Sequence, residues 1–343
     1  MENKEINILR SKIKEANNVV ITTHRHPDGD AIGSTLGLYH FLKESGKRLT
    51  LIVPDDYPTF LKWLPGSDEI LIHEQQAKKA DREIVNADLI FALDYNHFSR
   101  TEQMEKKLTS ASCFKVLIDH HPQPHTQVFD LAFSREDYSS TAEILFTLLQ
   151  SMSSLGNIDQ HAATAFYAGI MTDTGSFSYS VNRPELFENV GELIRRGADA
   201  EKINRNIYDT YSESRLRLLG FCLSERMKVI PEYSTAYIYL SQDDMKRFNY
   251  RDGDAEGLVN YGLSIKGINF SALIKEHEGM VRMSLRSKEG FSVNKFARDN
   301  FEGGGHQRAA GANSYLGIED TIRKLESLLP KYKKQLNALT ERE

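Results

Sequence analysis

The first half of the chain repeats one pattern: a short run of consecutive apolar residues that ends in polar ones, followed by a stretch with helical spacing. The runs are VVITTH (19–24), RLTLIV (48–53), DLIFALD (88–94) and KVLID (115–119). Between them Ile32, Leu36, Tyr39 and Leu42 recur at helical spacing, with Gly46 placed to stop that helix, and 74–86 and 99–110 carry the same periodicity. Strands apolar at every position must be covered on both faces, and strands joined through helices pair in parallel. The spacing predicts an α/β domain over residues 1–181, with a doubly wound, mostly parallel sheet. In such sheets ligands gather at the carboxyl ends of strands, and three of these strands end in or next to His24, Asp94 and Asp119.

Residues 182–227 read as a helical connector. Asn182 can cap its first helix, Pro184 lies in the first turn, and Arg195-Arg196-Gly197 closes it. Asp199 can cap a second helix, and SESRLRLLGFCLSERM suits a third. From 228 onward STAYIYL, INFSALIKE and MVRMSLRS alternate as antiparallel strands do. A helix at 293–300, a glycine-rich loop FEGGGHQRAAG (301–311) and an amphipathic helix over 319–337 complete a smaller α+β domain, 228–343.

Lys and Arg number 43 against 48 Asp and Glu, a net charge of −5. That excludes a protein that coats long nucleic acid, which needs a large basic surface, but not a small anion held by a few local cations. Cys113 and Cys222 lie outside any CxxC pair, so neither a disulfide framework nor a zinc knuckle is available. No apolar run approaches the ~18 residues of a membrane span. The N-terminal MENKEINILRSKIKEANN reads as a polar amphipathic helix rather than a signal peptide. The expectation is a soluble cytoplasmic protein, with edge strands in both domains offering a route to a homodimer.

The densest polar cluster is HRHPDGDAIGS (24–34), where His24, Asp28 and Asp30 follow a strand and Pro27 and Gly29 force a tight turn. Capping of the following helix is the alternative role for its acids. Asp94 ends a strand, IDHHP (118–122) sets Asp119, His120 and His121 at another strand end, and MTDTGSF (171–177) adds Asp173 before a glycine. Four carboxylates (Asp28, Asp30, Asp94, Asp173) and two imidazoles (His24, His120) would suit two divalent cations. The oxygen–imidazole mixture favours Mn²⁺ over Ca²⁺, with Zn²⁺ the alternative. Two such cations activate water and stabilise in-line displacement at phosphorus; Asp94 and Asp173 are the better candidates to contact both. In the C-terminal half Gly303-Gly304-Gly305-His306, with Arg308 and Arg286, forms a candidate phosphate clamp, although such a glycine run also makes a tight turn. Arg100 is read as either a salt-bridge partner or a substrate contact. Trp63 is assigned to packing, and His26, His40, His73, His97, His125, His161 and His277 to surface or satisfied core positions.

HRHPDGDAIGS, LDYN, IDHHP and MTDTGSF, in this order, resemble the four motifs of the DHH phosphoesterases, and GGGH resembles the signature of their associated C-terminal domain. The similarity runs over about residues 15–335. The length, with no sensory or further oligonucleotide-binding segment, resembles the nano-RNase branch, described as bifunctional oligoribonuclease and 3′-phosphoadenosine-5′-phosphate phosphatase. The resemblance implies that His24 and Asp28 hold one metal, Asp30 and His120 the other, and that Asp94 and Asp173 contact both. It further implies that Asp119 orients His120, that His121 faces the scissile phosphate, and that Arg286, the glycines and His306 bind the distal phosphate across a cleft. Tyr95 to Arg100 departs from the pattern common in the family, which leaves Arg100 outside it. Expected substrates are very short RNAs, linear dinucleotides and 3′-phosphoadenosine 5′-phosphate, with no long nucleic acid and no membrane. The rival readings are a cyclic-dinucleotide phosphodiesterase, a two-metal pyrophosphatase, and a nucleotide-binding protein without catalysis.

Overall fold

A computed structural model describes residues 3–152 and 157–338. The chain divides into two compact units, Met1–Thr210 and Tyr211–Glu343.

In the first unit β1 (Asn18–Thr22), β2 (Arg48–Val53), β3 (Ile70–Ile72), β4 (Leu89–Leu93), β5 (Phe114–Asp119) and β6 (Leu131–Ser134) form one sheet in the order β3-β2-β1-β4-β5-β6. All of its pairings are parallel. The chain runs outward from β1 to β3, then returns to lay β4 along the other edge of β1. That reversal is the switch point at which doubly wound sheets bind ligands. The two edge strands β3 and β6 are too short to stand out as apolar runs in the sequence.

The helices of this unit are α1 (Asn3–Glu15), α2 (Gly29–Leu42), α3 (His73–Val85), α4 (Glu105–Ser110), α5 (Thr141–Gln150), α6 (Gln160–Asp173), α7 (Pro184–Arg195) and α8 (Ala200–Tyr208). Alternate strand residues face opposite layers, as a strand's period of two requires. Val19, Ile21, Leu51, Phe91 and Ile118 pack in one core with residues of α1, α2, α5 and α6, with Trp63 half-buried at its margin. Val20, Ile52, Ile90 and Leu117 pack in the other with Ala80 and Ile84 of α3 and Leu108 of α4. Continuous apolar runs thus become strands covered on both faces. The apolar stretch before Asp173 is helix α6, so that acid arrives from a helix end rather than a strand.

α2 and α6 run antiparallel at close range because glycines line their interface. A Cβ on Gly29 would lie 2.1 Å from Thr172 Oγ1, one on Gly33 2.6 Å from the Ala165 carbonyl oxygen, and one on Gly37 2.2 Å from the Phe166 ring. The segment read as a connector is shared between the units. Leu186, Val190 and Leu193 of α7 and Ile203 and Ile207 of α8 belong to the first unit's core, whereas Leu218 of the third helix joins a core of the second.

The second unit comprises α9 (Glu213–Phe221), β7 (Met227–Ile230), β8 (Thr235–Leu240), α10 (Gln242–Arg247), α11 (Leu258–Leu263), β9 (Phe270–His277), β10 (Met280–Ser287), α12 (Val293–Asn300), β11 (Glu302–Gly305), β12 (Ala309–Ser314) and α13 (Ile318–Asn337). Its sheet order is β11-β12-β10-β9-β8-β7. Two expectations are corrected here. β8 and β9 pair in parallel, because α10 and α11 carry the chain back across the sheet before β9 begins. The glycine run is a strand rather than a loop: β11 pairs antiparallel with β12. A Cβ on Gly303 would lie 2.2 Å from the Gly311 carbonyl oxygen, so glycine permits this close pairing. No described helix is long and apolar enough to cross a membrane.

Candidate metal centre

Backbone hydrogen bonds tie the loops at the carboxyl edge of the first sheet to one another. Arg25 N–H donates to the Arg100 carbonyl at 2.8 Å, joining the loops after β1 and β4, and Asp94 N–H donates to the Ile118 carbonyl at 3.0 Å. Asn96 Nδ2 donates to the Pro122 carbonyl at 2.8 Å, joining the loops after β4 and β5. The HRHPDGD turn is held from outside by Asp55, which accepts from His26 N–H at 2.7 Å and lies 3.6 Å from Arg25 Nε. Arg25 also pairs with Glu102. Asp94 has φ +66°. Asp and Asn enter that left-handed region more readily than other residues with a side chain.

On this frame the side chains converge. His24, Asp28 and Asp94 bring one ligand atom each within 4.8 Å of one another, and so do Asp30, Asp94 and His120. Asp94 is common to both groups. His24 Nε2 lies 3.4 Å from Asp94 Oδ2 and 4.0 Å from Asp28 Oδ1. His120 Nε2 lies 3.6 Å from Asp94 Oδ1, 3.5 Å from Asp173 Oδ2 and 3.9 Å from Asp30 Oδ2. All six expected ligands therefore meet at one edge of the sheet. Asp28 also caps α2, accepting from Asp30 N–H at 3.0 Å and Ala31 N–H at 3.1 Å, so the alternative role holds alongside.

Asp30 and Asp94 are only 1% and 2% exposed. Burial, and then Asp94 and Asp173, push the Asp30 carboxyl well above the usual carboxylate range. Burial, and then Asp28, Asp173 and Asp119, do the same to Asp94. Buried acids this close cannot ionise together without nearby positive charge. The carboxylates with two imidazoles are a donor set that fits divalent cations of the Mn²⁺ or Zn²⁺ kind.

Asp119 Oδ1 accepts from His121 Nδ1 at 2.7 Å. The resemblance implied an orienting role for Asp119 toward His120; the ring its carboxylate holds here is that of His121. A carboxylate oxygen accepts, so Nδ1 carries the proton and Nε2 is the ring's basic nitrogen. Burial, then His120, His24 and Arg100, hold the His121 imidazolium well below the ordinary histidine range, so the ring is neutral near pH 7. Arg100 is exposed and makes no ion pair among the described residues.

Thr141 escaped the sequence reading. Its N–H donates to Asp30 Oδ2 at 2.7 Å, the Ala142 N–H donates to Asp30 Oδ1 at 2.8 Å, and its hydroxyl donates to Asp94 Oδ1 at 3.0 Å. The start of α5 thus grips two acids of the cluster. Ser140 caps that helix, and the buried Glu143 receives Ser139 N–H at 2.9 Å and pairs with Arg183 at 3.2 Å. The Ser140-x-x-Glu143 spacing marks a helix start in the sequence, but not what that start would hold.

In the second unit Arg286 is the next-to-last residue of β10 and is paired in register with Ala309. The turn 306–308 is fastened by the Ser287 N–H to the Arg308 carbonyl at 3.0 Å and the Val293 N–H to the Gln307 carbonyl at 2.9 Å. Arg286, Gly305, His306 and Arg308 therefore share one end of that sheet. Arg308 pairs there with Glu289 at 2.6 Å on the surface.

The chain matches the family model for the DHH family N-terminal domain over residues 18–170 and that for the DHHA1 domain over 232–338. It is 30% identical over 298 residues to a Thermus thermophilus protein named bifunctional oligoribonuclease and PAP phosphatase NrnA, covering 86% of this chain and 83% of that one. A Bacillus subtilis protein of the same name is 27% identical over 298 residues, covering 86% and 89%. Among solved structures, an exopolyphosphatase-related protein from Bacteroides fragilis is 40% identical, with a TM-score of 0.94 over 98% of both chains. The chain therefore belongs to the DHH family of phosphoesterases, with a DHHA1 domain in its second unit.

Proposed function

We propose that this protein hydrolyses very short oligoribonucleotides to mononucleotides from the 3′ end and also dephosphorylates 3′-phosphoadenosine 5′-phosphate. The observation that carries the reading is the pair of three-residue donor groups sharing Asp94. The names of the Thermus and Bacillus relatives supply the substrate class. His24 and Asp28 would hold one divalent cation and Asp30 and His120 the other, with Asp94 and Asp173 contacting both. When bound, two Mn²⁺ ions would lower the pKa of a water and offset charge developing on the phosphoryl oxygens. Thr141 fixes the direction of the Asp94 carboxylate, and the amides of α5 fix that of Asp30. His121, neutral and oriented by Asp119, would accept or relay a proton through Nε2 beside the reacting phosphate. Arg100 in the first unit, and Arg286, Gly303, Gly304, Gly305, His306 and Arg308 in the second, would bind the substrate's remaining phosphate or nucleotide.

The test is a Mn²⁺-supplemented assay comparing a 5′-phosphorylated RNA dinucleotide, an RNA of about 24 nucleotides, 3′-phosphoadenosine 5′-phosphate, a cyclic dinucleotide and pyrophosphate. The expected result is rapid cleavage of the dinucleotide and of the adenosine bisphosphate while the longer RNA is spared. Preference for the cyclic compound would move the protein to second-messenger turnover and overturn the proposal.

Thr141→Val keeps the shape of the side chain but removes the hydroxyl that holds Asp94. Loss of a hydrogen bond to a metal ligand typically costs about 10- to 100-fold in metal affinity or activity. We expect that loss in activity at limiting Mn²⁺, partly recovered at saturating Mn²⁺. Unchanged Mn²⁺ dependence would show that Thr141 does not position Asp94.

A further inference from the structure

α2 and α6 carry a second convergence of ligand-type side chains at the end opposite the acids. His40 lies ten residues after Asp30 on α2, about 15 Å farther along the axis. Because α6 runs antiparallel, its first turn meets that end. His40, Asp159 and His161 bring one ligand atom each within 4.8 Å of one another, and the rings of His40 and His161 are 5.3 Å apart.

The tautomer of His40 is settled by its surroundings. Nε2 lies 2.8 Å from the Pro65 carbonyl oxygen, an acceptor only, so Nε2 carries the proton and Nδ1 the lone pair. His40 is 6% exposed, and its Nδ1 is buried without a hydrogen-bond partner. An imidazole that donates one nitrogen to a backbone carbonyl and presents the other as a lone pair is arranged as metal-bound histidines are. On α6, Asp159 uses Oδ1 to cap the helix, accepting from Ala162 N–H at 2.8 Å, while Oδ2 lies 3.9 Å from His161 Nδ1.

We propose that His40, Asp159 and His161 bind a zinc-class divalent cation, fastening the far ends of α2 and α6 to each other. Two imidazoles and one carboxylate, completed by water, suit Zn²⁺, whereas the oxygen-rich cluster at the sheet edge suits Mn²⁺. Zn–N bonds of about 2.0–2.1 Å place tetrahedral ligand atoms roughly 3.3 Å apart. His161 and Asp159, with side chains 56% and 48% exposed, are free to make that small inward movement. The Asp159 carboxylate offsets the positive end of α6, which would otherwise repel the ion.

Zn²⁺ bound to the full-length protein is measured by equilibrium dialysis and elemental analysis, for wild type, His161→Ala and Asp159→Asn. Asn caps helices as well as Asp does, so the second variant removes the charged ligand and keeps the helix start. We expect His161→Ala to bind one Zn²⁺ per chain fewer than wild type, with its Mn²⁺-supported activity unchanged. Asp159→Asn should bind that ion at least tenfold more weakly. Equal zinc in wild type and His161→Ala overturns the site, and undiminished affinity in Asp159→Asn removes the carboxylate from it.

Discussion

Asp94→Asn should lower phosphoesterase activity by about 10³-fold or more, with the fold retained. The residue is common to both donor groups, so its loss removes a ligand from each. Charge stabilisation of several kcal/mol in the transition state, at 1.36 kcal/mol per tenfold, gives that scale. Asn is the cleaner substitution than Ala because it tolerates the φ of +66°. Stability should move the other way. Burial and neighbouring acids raise the folded-state pKa of Asp94, so the metal-free folded protein binds a proton that the unfolded chain has released. Stability of the metal-free protein then falls as pH rises above about 4, through the folded pKa. Melts in a chelator should show Asp94→Asn at least as stable as wild type at pH 7 and less sensitive to pH. Added Mn²⁺ should raise the wild-type melting temperature more than that of the variant. A variant that melts well below wild type in the chelator, as well as losing activity with Mn²⁺, would make Asp94 a structural residue and not a ligand.

Gly33→Ala should unfold the first unit at a markedly lower temperature, although it adds one methyl group. That methyl would lie 2.6 Å from the Ala165 carbonyl oxygen and 2.8 Å from the Gly169 backbone, so α2 and α6 must separate. Overpacking of this kind costs about 1–3 kcal/mol, which in a unit of this size lowers the melting temperature by roughly 2–12 °C. Activity should fall as well, because α2 begins beside Asp30 and α6 ends at Asp173. Gly220→Ala is the control: it lies within α9, and an added Cβ there meets nothing within 4 Å. If Gly33→Ala melts with wild type, the close approach of α2 and α6 is not what sets the positions of Asp30 and Asp173.

Much of the catalytic half is legible along the chain because a strand buried on both faces has no polar residue to spare until it reaches solvent. VVITT, LIFAL and KVLID therefore announce where they end, and the polar residues at those ends form the ligand edge. The same rule does not decide the setting of Asp173, since an apolar run such as AATAFYAGIM serves a buried helix as well as a strand. It also says nothing about pairing direction, so β8 and β9 alternate like an antiparallel pair while the intervening helices make them parallel. The glycines at 303–305 signal a missing side chain, and only the register against Gly311 and Ala312 shows that a strand fills the space.

Local pattern, which depends on residues a few positions apart, thus determined strands β1, β2, β4 and β5, the helices that join them and the placement of His24, Asp94 and Asp119 at strand ends. Tertiary structure decided every relation between distant segments. It brought Thr141 to Asp30 and Asp94, and the glycine stripe of α2 to the backbone of α6. It also brought His40 to His161, two residues that read separately as ordinary histidines. Such pairs leave no trace in periodicity, because the distance between them is set by helix packing and sheet order rather than by the chain that joins them.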